Sequence, residues 1–224
     1  MKIHLSALAL CFSLILTGCG ATTPAADPVG TTPTQQIKQE YDGKILALGD
    51  SLTEGYGLEK AQSYPSQLQA FLNKQGHNYQ VINSGISGET TTGLRERIDW
   101  VLSQNPDVII LTSGANDAMR GIDLDITRQN LEAVIQTIQD QDITLIFGGM
   151  EIYENLGPEY VEDFKNLYPA LAEQYELNFI PFFLAGVAGD PALNIADQIH
   201  PNEQGYKIIV EQNIWPVLEL ILSE

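Results

Sequence analysis

The chain is short of sulfur, of histidine and of positive charge, and each shortage removes a class of chemistry. Only two cysteines occur in 224 residues, Cys11 and Cys19, both within the first 19 positions. The rest of the chain offers no cysteine nucleophile, no disulfide and no thiolate-bound metal. Three histidines, His4, His77 and His200, are too few for a histidine cluster, so no metal and no cofactor is expected. Lys and Arg number 11 against 29 Asp and Glu, leaving a net charge of −18. A surface of that sign repels phosphate backbones, which argues against a nucleic-acid partner. It also argues against docking on anionic lipid by charge alone. The mostly apolar stretch from Leu5 to Leu16 is 12 residues long, well short of the roughly 20 that span a bilayer as a helix.

What is present begins with that same stretch. Lys2 and His4 precede it and small residues follow it, as in a secretory signal. Leu16-Thr17-Gly18-Cys19 resembles the bacterial lipobox. The resemblance implies removal of residues 1–18, a lipid on Cys19 that joins the protein to a membrane, and residence in the cell envelope. In a Gram-negative cell that means the outer membrane or a periplasm-facing position. Residues 19–40 are rich in Thr, Pro and Ala and nearly lack large apolar side chains. Such a segment cannot bury enough surface to fold. It reads as a tether reaching at most about 70 Å when extended. Residues 41–224, in a chain that is 44% hydrophobic, suit one globular domain with a full core. That body is expected to be a monomer.

From Lys44 the pattern alternates. Short apolar runs at Lys44–Gly49, Tyr79–Asn83, Val108–Thr112, Thr144–Gly148 and Asn178–Pro181 read as strands. Helical spacing covers Ala61–Gln75, Thr91–Gln104, Leu124–Gln139, Glu159–Tyr175 and Tyr206–Leu222. Pro169 should break the fourth helix locally and Pro216 should kink the last. Strand and helix in alternation, with short links, imply right-handed crossovers and a parallel sheet. Five strands suggest an α/β class, three-layer α/β/α sandwich with a doubly wound, flavodoxin-like sheet. Ligands bind such sheets beyond the carboxyl ends of the strands. Gly49-Asp50-Ser51, the loop Ser84–Thr92 and Gly114-Ala115-Asn116-Asp117 all fall there.

Acyl transfer by a serine needs a hydroxyl, a base, a group that orients the base, and donors for the oxyanion. Ser51 supplies the hydroxyl. His77 sits in a polar turn facing the other end of the sheet, so it reads as a surface residue. His200 is the remaining candidate base, with Asp197 three residues before it. That spacing lets the carboxylate reach Nδ1 and leaves Nε2 free; it also suits a helix cap or an ion pair. The side chain of Asn116 and the backbone N–H groups of Gly88 and Ser51 could serve an oxyanion, although each residue equally suits a turn. Asp50 reads as a structural hydrogen-bonder, because it directly precedes the serine. Met119, Ile122 and Leu156 follow the third and fourth strand ends and could wall an acyl site; ordinary loop packing explains them equally well.

Taken in order, Gly-Asp-Ser-Leu at 49–52, Ile-Ser-Gly-Glu-Thr at 86–90, Gly-Ala-Asn-Asp at 114–117 and Asp-Gln-Ile-His at 197–200 resemble the blocks of the SGNH, or GDSL, hydrolases. GDSLTEGYGL, VINSGISGETTTGL, GANDAMRG and DQIHPNEQGY look like the thioesterase I, lysophospholipase L1 and arylesterase branch. The resemblance implies a serine esterase acting on small acyl-ester or lipid substrates, with thioesters a further option. It puts the nucleophile at Ser51, the base at His200, the orienting acid at Asp197, and the oxyanion hole at Ser51, Gly88 and Asn116. Ala115 stands where many relatives have glycine, and Glu54 where many have a small residue. The serine does not lie in the G-x-S-x-G elbow of the α/β-hydrolases. Two rivals share the fold: an O-acetyl carbohydrate or peptidoglycan esterase, which a wide polar cleft would favour, and a binding protein on a degenerate hydrolase scaffold.

Overall fold

Val108–Thr112 forms strand β3, and all five of its residues are buried. A strand with apolar side chains on both faces must be covered on both, and the topology does this by placing β3 in the middle. The computed structural model describes residues 40–223. Cys11, Cys19 and the expected signal peptide and tether, save its last residue, lie outside the described residues. The sheet has five strands in the order β2-β1-β3-β4-β5, with β1 Gly43–Gly49, β2 Tyr79–Gly85, β4 Thr144–Gly148 and β5 Asn178–Ile180. Every pairing is parallel. This is the flavodoxin-like order, and the chain reverses direction across the sheet between β1 and β3.

Eight α-helices complete the described body: α1 Ser51–Glu54, α2 Tyr64–Gln75, α3 Thr91–Leu102, α4 Ala115–Met119, α5 Leu124–Gln139, α6 Pro158–Gln174, α7 Glu203–Ile208 and α8 Trp215–Leu222. Helices α3, α5 and α6 pack together, and α2 packs against α7, as expected when right-handed crossovers run in both directions from β1. The face of α5 carrying Leu131, Val134, Ile135 and Ile138 is fully buried, as its 3.6-residue spacing predicts.

Three helices differ from expectation. The first expected helix does not begin at Ala61: a 3-10 turn spans Lys60–Gln62, and α2 opens after Ser63 with Pro65 in its first turn, where a missing N–H costs nothing. Pro169 does not break α6, which runs through it. The residue is exposed, so water can bond the carbonyl that the proline leaves without a donor. Ahead of Pro216 the last helix carries a π-helical segment, Ile209–Ile214, in which the Trp215 N–H bonds the Val210 carbonyl. Widening the helix by one residue ahead of the proline absorbs the lost hydrogen bond.

Pairing of Gly49 with Gly85 on one side and Thr112 on the other brings three strand ends to one level. The loops that follow them converge there. Gly85 is required by packing: a Cβ on it would lie 2.1 Å from the Glu54 nitrogen, so α1 could not sit against the end of β2.

Candidate active site

Ser51 opens α1 directly beyond β1. Its N–H therefore belongs to the helix's first turn and has no intrahelical acceptor. Asp50 is the N-cap; its Oδ1 accepts from the Leu52 N–H at 3.0 Å. The short helix ends at Gly55 in the left-handed conformation, and the Gly55 and Tyr56 N–H groups both bond the Ser51 carbonyl. The turn is thus fixed on both sides of the serine.

His200 lies far along the chain, 149 residues from Ser51, yet its Nε2 is 2.8 Å from the Ser51 Oγ. Its Nδ1 is 2.6 Å from the Asp197 Oδ2. A carboxylate only accepts, so Nδ1 carries the proton and Nε2 is free to accept the serine's. The loop is tied down locally. Asp197 Oδ1 accepts from the Ile199 and His200 N–H groups at 2.9 and 3.0 Å. The Ile195 N–H donates to the His200 carbonyl at 2.8 Å. Gln198, between acid and base, has φ +60, an uncommon conformation for a residue with a side chain. Its carbonyl accepts from the Tyr153 hydroxyl at 2.9 Å. Burial acts to raise the Asp197 pKa, but the two amides and the imidazole outweigh it and hold the carboxyl below its ordinary range.

Asn116 is buried in α4 and its Nδ2 donates to the Asp50 Oδ2 at 3.0 Å. Gly88 takes a positive φ of +76, and its N–H has no acceptor among the described residues. Two contacts hold its loop: the Ser87 N–H donates to Glu54 Oε2 at 2.7 Å, and Arg120 donates to the Gly88 carbonyl at 2.5 Å. The departure at Glu54 is thus a strut between the serine turn and the Gly88 loop. Below them, buried Asp117 accepts from the Thr91 N–H and hydroxyl. It caps α3 from outside, since Thr90 makes no side-chain cap. Arg97 pairs with Glu89 at 2.6 Å and also donates to the carbonyls of Gly49 and Ser84, clamping the first two strand ends together.

A cavity of about 580 Å³ opens beside Ser51, Asn116 and His200, a size common for small-ligand sites. Met119, Met150, Ile152, Leu156, Phe182 and Leu184 give it apolar walls. Met119 and Leu156 are where the sequence suggested. Ile122 does not line it. The chain turns at Gly121, with φ +66, and the Ile122 N–H bonds the Asp117 carbonyl. That folds Ile122 back toward α6, where its carbonyl accepts from Tyr160. Met150, Ile152, Phe182 and Leu184 went unnoticed in the sequence, although they follow the carboxyl ends of β4 and β5. Tyr56, with its ring 4.8 Å from that of His200, left no signal. His77 sits before β2, at the amino end of the sheet, half-buried with its ring 5.5 Å from Trp215. Among the described residues no group of three or more His, Cys, Asp or Glu could hold a metal.

Residues 47–208 match the model of the GDSL-like Lipase/Acylhydrolase family. Esterase TesA of Pseudomonas aeruginosa is 32% identical over 211 residues, covering 94% of this chain and 99% of that protein. An arylesterase of Vibrio mimicus is 35% identical over 169 residues, 75% of this chain and 84% of that one. Among solved structures, the psychrotrophic esterase EstA from Pseudoalteromonas sp., inhibited by monoethylphosphonate, superposes with a TM-score of 0.76 at 28% identity, covering 82% of this chain and 100% of EstA.

Proposed function

This chain belongs to the GDSL-like lipase/acylhydrolase family and is a serine esterase, and from that premise we propose that Ser51 carries the acyl group and that the cavity beside it receives an aliphatic acyl chain. The reading rests above all on one observation: the Ser51 Oγ, 2.8 Å from the His200 Nε2, stands at an apolar cavity.

The steps follow from the geometry. Ser51 Oγ attacks the substrate carbonyl carbon while its proton passes to His200 Nε2. Asp197 holds the imidazolium that forms. The carbonyl oxygen becomes an oxyanion, stabilised by the N–H groups of Ser51 and Gly88 and the amide of Asn116. The bond to the leaving oxygen, or sulfur in a thioester, then breaks, and that atom takes the proton from Nε2. Water attacks the acyl-serine, gives a proton to Nε2, and the acid departs as Ser51 recovers its proton.

Walls built from Met119, Met150, Ile152, Leu156, Phe182 and Leu184 favour medium or long acyl chains over acetyl groups on a polar polymer. A panel of p-nitrophenyl esters from acetate to palmitate, with lysophospholipid and acetylated xylan beside it, checks this. The kcat/KM is expected to rise with chain length beyond acetate. Turnover confined to acetyl esters would move the assignment to a carbohydrate or peptidoglycan O-acetyl esterase. A folded protein without turnover would revive a binding role.

We further propose that Cys19 is lipidated and anchors the enzyme in the cell envelope; the lipobox-like Leu16–Cys19 supports this. Labelled palmitate should enter the protein in an expressing bacterium, and Cys19→Ala should abolish both the label and membrane fractionation. Labelling that survives the substitution would refute the assignment.

A further inference from the structure

Asp50 is 2% exposed, touches both the serine turn and Asn116, and has no part in the proton transfers above. Its two oxygens are engaged separately: Oδ1 by the Leu52 N–H at 3.0 Å, Oδ2 by the Asn116 Nδ2 at 3.0 Å. A carboxamide can turn over about its last bond and exchange N for O at almost no intrinsic cost. What fixes it is its partner. A carboxylate accepts and cannot donate, so it holds the NH₂ end of Asn116 toward itself. One N–H is then bound to Asp50, the second has no other partner among the described residues, and Asn116 is part of the cavity lining.

We infer that Asp50 is the positioning residue for the oxyanion hole: its carboxylate fixes the flip of the Asn116 amide so that an N–H, and not the carbonyl oxygen, is presented to the reacting carbonyl. This rests on the reading of Asn116 as an oxyanion donor. The wrong flip would set a lone pair against a developing negative charge, which is worse than an absent donor. An isolated N-cap would not need the second oxygen; capping α1 requires only the bond from the Leu52 N–H.

The same arrangement adds a proton to the acid side of the pH profile. Burial raises the Asp50 carboxyl to about 6, against the lowering effects of the Leu52 N–H, His200 and Asn116. The ionisable groups acting on it are His200 from the loop before α7, Glu89 from the loop after β2, and the hydroxyls of Tyr64 on α2, Tyr168 on α6 and Tyr206 on α7. Glu89 is itself paired with Arg97. With a raised pKa, Asp50 is carboxylate above about 6 and becomes a carboxylic acid as pH falls through it. The acid can donate, so the amide loses its fixed direction.

Asp50→Asn tests this in the full chain. Asparagine is as good an N-cap as aspartate, so the bond from Leu52 survives; its NH₂ then faces Asn116 and turns that amide over. The expected result is a loss of kcat of about 10²-fold, the usual cost of an oxyanion donor, with KM changed less than about threefold and Tm nearly unmoved. Asn116→Ala, which only removes the donor, should cost less than Asp50→Asn, and the double variant Asp50→Asn/Asn116→Ala should be no worse than Asn116→Ala alone. The acid limb of log kcat/KM should carry a titration near 6 in the wild type that is missing from Asp50→Asn. If Asp50→Asn lowers Tm sharply, Asp50→Ser, which keeps a hydroxyl cap but does not reach Asn116, carries the same cycle. Wild-type kcat in Asp50→Asn, or losses that multiply in the double variant, would overturn the positioning role. Full kcat in Asn116→Ala would instead remove the oxyanion reading beneath it.

Discussion

Replacing Ser51 by alanine is expected to lower kcat by on the order of 10⁴- to 10⁶-fold, and replacing His200 by alanine should cost about as much. The reason is that the two act as one unit. At 2.8 Å, the hydroxyl is a nucleophile only while Nε2 can take its proton, and the imidazole has no other acid to serve. The double variant should therefore be hardly worse than either single one. Steady-state turnover of a medium-chain p-nitrophenyl ester, with a labelled phosphonate to count active sites, measures this. Phosphonate should label the wild type and not Ser51→Ala. Multiplying losses would show that the residues act independently, and turnover by Ser51→Ala near wild type would eliminate the acyl-enzyme. Neither side chain belongs to the apolar core, so Tm should move little and separate lost chemistry from lost fold.

The second large effect is expected from Asp197→Asn, a loss in kcat of about 10²- to 10⁴-fold. Asparagine keeps Oδ1 and with it the bonds from the Ile199 and His200 N–H groups, so the turn persists. In place of Oδ2 it presents an NH₂ to Nδ1. The imidazole must then accept there and carry its proton on Nε2, where it cannot take the proton of Ser51. The Asp197 side chain is 33% exposed, so water can partly restore the correct tautomer, and the loss should be smaller than that of Ser51→Ala. Asp197→Ala should lower Tm more than Asp197→Asn, because it also removes the turn. Full kcat in Asp197→Asn would end the orienting role. A loss seen in KM alone would point to substrate binding.

The glycines beyond β2 differ in ways that local sequence does not reveal. Gly85 and Gly88 both fall in the stretch 84–92, and the structure gives the two glycines different work. Gly85 allows α1 to lie on the end of β2, while Gly88 takes a positive φ and its N–H has no acceptor among the described residues. A period-based reading could not separate them, because both are simply glycines in one loop. Ile122 was misplaced for a related reason. Its apolar character is visible in the chain, but the direction of its side chain depends on the turn at Gly121. Pro169 shows the opposite error: the residue is a helix breaker in general, and only its solvent-facing position lets α6 continue through it.

By itself the sequence determined the fold class, the parallel sheet and the residue types available for chemistry. These follow from periodicities of 2 and 3.6, from strand lengths, and from the scarcity of histidine and cysteine, all of which are local or compositional. It also determined the short turns that hold Ser51 and the Asp197–His200 pair, because their hydrogen bonds close within a few residues. Only the tertiary structure decided that Ser51 meets His200 across 149 residues, that Asp50 reaches Asn116 across 66, and that side chains following β4 and β5 wall the cavity. Those contacts depend on strand order and register, which bring the carboxyl ends of separate strands to one level. Distances of that kind are properties of the packed sheet and are written in no single segment of the chain.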